Sequence, residues 1–98
     1  MKAIWKFEIP IGEKVQISMP IGAQIIAFQT QFDKPCIWAI VELGVEFEVR
    51  RFVIVGTGQK FEKIPGQYIG TAQMIVGTLI WHLFEIREEE VKSEREEA

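Results

Sequence analysis

A two-residue rhythm of apolar and polar side chains, interrupted at short intervals by proline and glycine, limits what this chain can fold into. In residues 3–9, Trp5, Phe7 and Ile9 fall on one face, with Lys6 and Glu8 on the other. Val15, Ile17 and Met19 alternate in the same way with Gln16 and Ser18. Period-two alternation marks strands with one face buried. Pro10-Ile11-Gly12 and Pro20-Ile21-Gly22 end these two segments, since proline cannot donate to a ladder and glycine accepts turn geometry.

The rhythm continues to residue 86. Residues 25–32 (IIAFQTQF) read as a third strand, turned by Asp33-Lys34-Pro35, and residues 36–43 (CIWAIVEL) as a central strand apolar on both faces. Residues 45–55 extend again, a loop of Gly56 to Gln67 follows, and residues 68–75 and 78–86 form a hairpin joined across Val76-Gly77. No segment up to residue 86 has helical periodicity. The expected fold is all-β: seven short antiparallel strands in a small sandwich or barrel, over residues 1–86. Residues 87–98 (REEEVKSEREEA) read as an acidic tail, either a marginal helix or disordered.

Charge narrows the function. The net charge is −3, and residues 87–98, with three basic and six acidic side chains, account for all of it. Residues 1–86 balance at zero and show no basic stripe, which argues against binding to duplex nucleic acid. The N-terminal segment lacks a signal-peptide apolar stretch, and no run is long enough to span a membrane. A single cysteine, Cys36, allows no internal disulfide and no thiolate cluster. Its apolar surroundings mark it as a small buried hydrophobe. A reducing cytoplasm is the expected compartment.

The stretch Val53–Phe61 (VIVGTGQKF) invites comparison with phosphate-binding loops. Such loops aim successive amides, and the start of a helix, at the anion. Gly56-Thr57-Gly58 lacks the third glycine of a dinucleotide fingerprint and the Gly-Lys-Ser/Thr ending of a P-loop, and Pro65-Gly66 leaves no room for the helix. Two readings stay open. One is a strand-ending turn with solvated lysines. The other is a loop that holds a small anion with help from Arg50, Arg51, Lys60 and Lys63.

His82, the only histidine, has no cysteine, serine or carboxylate neighbours that would make a metal site or a catalytic triad. A hydrogen-bonded histidine in a core or subunit interface is the favoured reading. Trp5, Trp38 and Trp81 each fall within a strand and suit a core, an oligomer seam or a surface on which planar ligands stack. The domain is small enough for self-association to add materially to its stability.

The order of several pieces carries a resemblance: Lys2-Ala3-Ile4-Trp5-Lys6-Phe7, Met19-Pro20-Ile21-Gly22-Ala23, Cys36-Ile37-Trp38-Ala39, Phe52 to Gly58, Tyr68 to Gln73, and Gly77 to Glu85. Together they resemble a family of short hypothetical proteins encoded by tailed bacteriophages and prophages. The resemblance brings no activity with it. It implies an accessory protein working in the host cytoplasm. With no catalytic set in view, the expectation is a non-enzymatic homo-oligomer without cofactor or metal. It would sequester a small anionic, nucleotide-like signalling molecule of a host defence system. Arg50, Arg51, Thr57, Gly58, Lys60 and Lys63 would grip the ligand, with Trp81 and His82 beside them. The alternatives are a module that inhibits a host protein and a minor structural or assembly component of the virion.

Overall fold

The computed structural model describes residues 1–10, 12 and 14–86. These residues form seven strands and no helix: β1 (Lys2–Glu8), β2 (Lys14–Pro20), β3 (Gln24–Gln31), β4 (Lys34–Glu42), β5 (Phe47–Gly56), β6 (Gln67–Met74) and β7 (Leu79–Glu85). The expected all-β fold of seven antiparallel strands is what the chain adopts. The expectation of a helical or disordered acidic tail falls on residues 87–98, outside the described residues.

The strands divide into a three-stranded sheet, β1-β4-β3, and a four-stranded sheet, β2-β5-β7-β6, with every pairing antiparallel. Alternation decides which side chains face inward. From the first sheet, Ala3 and Phe7 of β1, Phe28 of β3 and Ile37, Ala39 and Val41 of β4 join the core. From the second come Val15, Ile17 and Met19 of β2, Phe52 and Ile54 of β5, Ala72 of β6 and Leu83 of β7. Strand β4 is central in its sheet, and Cys36 is buried within it. On its inward face Ile37, Ala39 and Val41 are buried, and on the other face Trp38 and Ile40 are half-buried.

The two sheets are joined along one side by direct hydrogen bonds. Strands β3 and β6 meet there: the Thr30 hydroxyl donates to the Gln73 carbonyl at 2.8 Å, and the Ile75 amide donates to Asp33 Oδ1 at 2.8 Å. Gly70 belongs to this seam, because a Cβ on it would lie 3.3 Å from Phe28 Cβ. With β3 against β6, the strand orders place β1 and β2 at the opposite edges. Trp5, which shares the inward parity of Ala3 and Phe7, remains 38% exposed on that side.

The turns differ in detail from those expected. The β3–β4 turn sits at Phe32 and Asp33, both with positive φ, rather than at Asp33-Lys34-Pro35. Two left-handed residues make a tight hairpin, so Lys34 and Pro35 are already in β4. Bulges between Ile25 and Ala27 and between Tyr68 and Gly70 shift the register of β3 and β6. The strand carboxylates pair across the sheets. Glu8 pairs with Lys34, Glu42 with Lys2 and Glu85 with Arg50.

Candidate ligand site at the β5–β7 end

Gly56 ends β5, and the following Gly56-Thr57-Gly58-Gln59 segment is a β-turn closed by the Gln59 amide donating to the Gly56 carbonyl at 3.0 Å. Gly58 stands at its third position with φ 88°, a conformation that costs glycine little. The turn satisfies most of its own donors. The Gly56 amide donates to Gln59 Oε1 at 3.1 Å, and the Thr57 amide donates to the Ile80 carbonyl at 3.2 Å. Anion cradles need several amides aimed outward together. Here three of the four are engaged inside the fold. The stretch that looked like the start of a phosphate loop is built first as a turn.

His82 fastens that turn to the sheet. It lies opposite Val55 of β5 and Thr71 of β6, on the outward face of the second sheet. Its Nε2 is 2.8 Å from the Thr57 hydroxyl and its Nδ1 is 2.9 Å from the Thr71 hydroxyl. Thr71 is in turn 2.6 Å from the Tyr68 hydroxyl. A neutral imidazole has one donor and one acceptor nitrogen, and a hydroxyl can serve either. Both nitrogens of His82 are therefore occupied by threonines, which makes it a clamp between β7, β6 and the turn.

Trp81, one residue earlier, points to the other face and packs against the core. It lies across from Gly56. A Cβ at Gly56 would come within 3.4 Å of Trp81 Cζ3, so glycine is what lets the indole edge settle against β5. The indole Nε1, on the far side of the ring from that edge, is buried without a hydrogen-bond partner among the described residues. Beside the ring opens a cleft of about 430 Å³ lined by Gly56, Thr57, Thr78, Leu79, Ile80 and Trp81. Its polar side chains are Thr57 and Thr78, whose hydroxyls are engaged with His82 Nε2 and the Ile75 carbonyl.

The eight residues singled out from sequence thus separate into groups. Thr57 and Trp81 line the cleft, with Gly58 and His82 adjoining it through the turn and the clamp. Lys60 and Lys63 are exposed in the segment that leaves the turn. Arg51 lies on the outward face of β5 opposite Gln16. Arg50 stands apart. Its guanidinium reaches Glu85 through Nε at 2.6 Å and Nη2 at 2.8 Å, and the Ala23 carbonyl through Nη1 at 2.5 Å. The Glu85 carboxylate pushes its pKa up, holding the charge in place. Gly56 lies six positions along the strand from Arg50, roughly 20 Å at the rise of a β-strand. It is a structural ion pair rather than part of the cleft.

Thr78, Leu79 and Ile80 were not foreseen as site residues. They come to the cleft because β7 pairs with β5 as well as with β6, a long-range pairing that no local pattern announces. Among the described residues there is no cluster of three histidine, cysteine or acidic side chains able to hold a metal ion, and no helix long and apolar enough to cross a membrane.

Fold and site together define a small antiparallel β-sandwich with one turn-lined cleft and a histidine clamp behind it. Residues 1–94 match the family model described as a domain of unknown function, DUF7352, and the chain belongs to that family. No curated protein and no solved structure matches it.

Proposed function

We propose that this chain is a non-enzymatic binding protein whose ligand site is the cleft between the Gly56–Gln59 turn and the start of β7. The observation that carries the reading is the pairing of an indole ring with two threonines and main-chain groups around a space of about 430 Å³. That volume falls within the range of small-molecule sites, which combine apolar walls with a few polar groups. A planar, nucleoside-like ring suits the indole, and hydroxyls or main-chain atoms suit its edges. The charge of an anionic, nucleotide-like ligand would fall to Lys60 and Lys63, since Arg50 is committed to Glu85. The resemblance of the motif order to short phage and prophage proteins is the ground for placing that role in the infected cell, where such binding would withdraw a host signalling nucleotide.

A ligand that binds only the folded chain raises its melting temperature once it passes its dissociation constant. Melts against a panel of cyclic, linear and ADP-ribose-type nucleotides, followed by amide and indole NMR shifts, test the reading. The expected result is a rise with at least one member and shifts centred on Thr57, Thr78 and Trp81. Gly56→Val, which would fill the space beside the indole, should remove both. A panel with no rise contradicts the reading.

A second reading has its own observation. The β3–β4 and β6–β7 turns, joined by Asp33 and Ile75, present Phe32 at 90% exposure with Ile75 and a fully exposed Val76. All three have positive φ, unusual for bulky or β-branched residues. Exposed apolar tips held in strained geometry suit docking against another protein. Host-protein capture that is lost on Phe32→Ser and Val76→Ser, with no nucleotide effect, would favour it.

A further inference from the structure

The hydrogen-bonding parity of β1 can be read from its ends. The Leu43 amide donates to the Met1 carbonyl and the Ile9 amide to the Pro35 carbonyl, both at 2.9 Å. Both contacts continue the register that pairs Lys2 with Glu42 and Glu8 with Cys36. In an antiparallel ladder, bonded and non-bonded pairs alternate. Ala3, Trp5 and Phe7 therefore bond to β4, while the amides and carbonyls of Lys2, Ile4, Lys6 and Glu8 point away from it. Strand β1 is the edge of its sheet, so this row is open to a further strand.

The other edge on the same side is blunted. In β2 the Ile21 amide donates to the Glu46 carbonyl, which puts Val15, Ile17 and Met19 on the β5 side and Lys14, Gln16, Ser18 and Pro20 on the free side. Pro20 has no amide to offer there. On the opposite side, β3 and β6 cover one another. Among the described residues β1 is thus the edge with a full set of outward donors.

The β1 sequence, Lys-Ala-Ile-Trp-Lys-Phe-Glu, is complementary to itself when reversed about Trp5. Independently of any ligand in the cleft, we infer that the free edge of β1 pairs antiparallel with β1 of a second copy, with the two-fold axis at Trp5. Lys2 then faces the second copy's Glu8, and Ile4 faces its Lys6. These are outward-pointing residues on both strands, so they form bonded pairs, about eight main-chain hydrogen bonds in all. Trp5 meets Trp5 at a non-bonded pair, where side chains approach most closely, and small Ala3 meets large Phe7.

Charge selects this register. Lys2 already bonds Glu42 at 2.8 Å, and Lys34 lies 3.4 Å from Glu8. Pairing about Trp5 joins them into a row of alternating sign across four strands: Glu42, Lys2, the second copy's Glu8 and the second copy's Lys34. Lysines on an edge strand normally deter pairing. Here Lys2 meets a carboxylate, whereas registers centred on Ile4 or Lys6 set lysine against lysine. The inward faces gain as well. Trp5, 38% exposed on the edge strand with Phe47 at a ring separation of 6.3 Å, is covered by its own counterpart.

Sedimentation equilibrium of the full chain should give a dimer, twice the 11.3 kDa of one chain. Ile4→Pro removes an outward amide and no bond to β4, so circular dichroism should stay that of a β protein while the dimer dissociation constant rises about tenfold or more. Lys2→Glu should weaken the dimer about fivefold by setting like charges opposite one another, and an equimolar mixture with Glu8→Lys should restore it. A monomer at every concentration up to the millimolar range overturns the inference. So does a dimer indifferent to Ile4→Pro, or a Lys2→Glu chain that Glu8→Lys does not rescue.

Discussion

Gly66 shows how a single residue can be fixed by a strand distant in sequence. A Cβ at this position would lie 2.2 Å from the Glu85 carbonyl oxygen and 2.8 Å from its carbon, both backbone atoms. Neither can rotate away, so Gly66→Ala must push the start of β6 off β7. We expect a loss of about 3 kcal/mol in chemical denaturation. Arg50 and Glu85 give a second expectation at this scale. Both side chains are mostly buried and joined by two hydrogen bonds. Glu85→Gln strands part of a buried guanidinium and should cost about 2–3 kcal/mol, without changing ligand binding in the cleft. Glu42 supplies a pH dependence. Bonds from Lys2 and from the Met1 amine hold its carboxyl at about 2, below the ordinary 4.5. A depressed folded pKa means that its contribution to stability is fully present above 4.5 and is lost as pH falls towards 2. An NMR titration of its side-chain carboxyl should show the low midpoint, and Lys2→Ala should raise it.

At the scale of elements, strands were easy to read and their joints were not. Alternation in Val15-Gln16-Ile17-Ser18-Met19 placed β2 and its buried face directly, because the pleat imposes the same period on sequence and on burial. The apolar run of β4 marked a central strand by its lack of a polar face, and β4 does lie between β1 and β3. The bulges at Ile25–Ala27 and Tyr68–Gly70 left no local trace, since they answer to the neighbouring strand's register. The β6–β7 turn was placed at Val76-Gly77, but Ile75 and Val76 also take φ of 50°. β-branched residues disfavour that conformation, so sequence argued against the geometry that the hairpin and the Asp33 bond impose. Val76 is fully exposed and buries nothing. Val76→Gly should therefore stabilise the chain by about 1 kcal/mol, read as a higher denaturation midpoint. The cleft was half legible. Thr57, Gly58, Trp81 and His82 were singled out as residues, but the engaged amides of the turn and the arrival of Thr78 to Ile80 depend on β5–β7 pairing. Arg50 looked available because charge shows in a sequence and an ion-pair partner does not.

At the scale of the whole molecule, hydrogen bonds join the two sheets along β3 and β6, while β1 and β2 are the edges on the opposite side. The edge position of β1 explains why a chain with 48% hydrophobic residues still exposes Trp5 at the margin of its own core. A second copy added to β1 would continue one sheet through both chains and cover that margin, leaving the cleft between β5 and β7, in the middle of the other sheet, outside the contact. Amide hydrogen exchange along β1, residue by residue at a concentration where the chain is assembled, tests this account most directly. It predicts slow exchange at Ala3, Trp5 and Phe7 from the β4 ladder, and equally slow exchange at Ile4, Lys6 and Glu8 that is lost on dilution. Fast exchange at those last three at every concentration, beside protected odd-numbered neighbours, would contradict it.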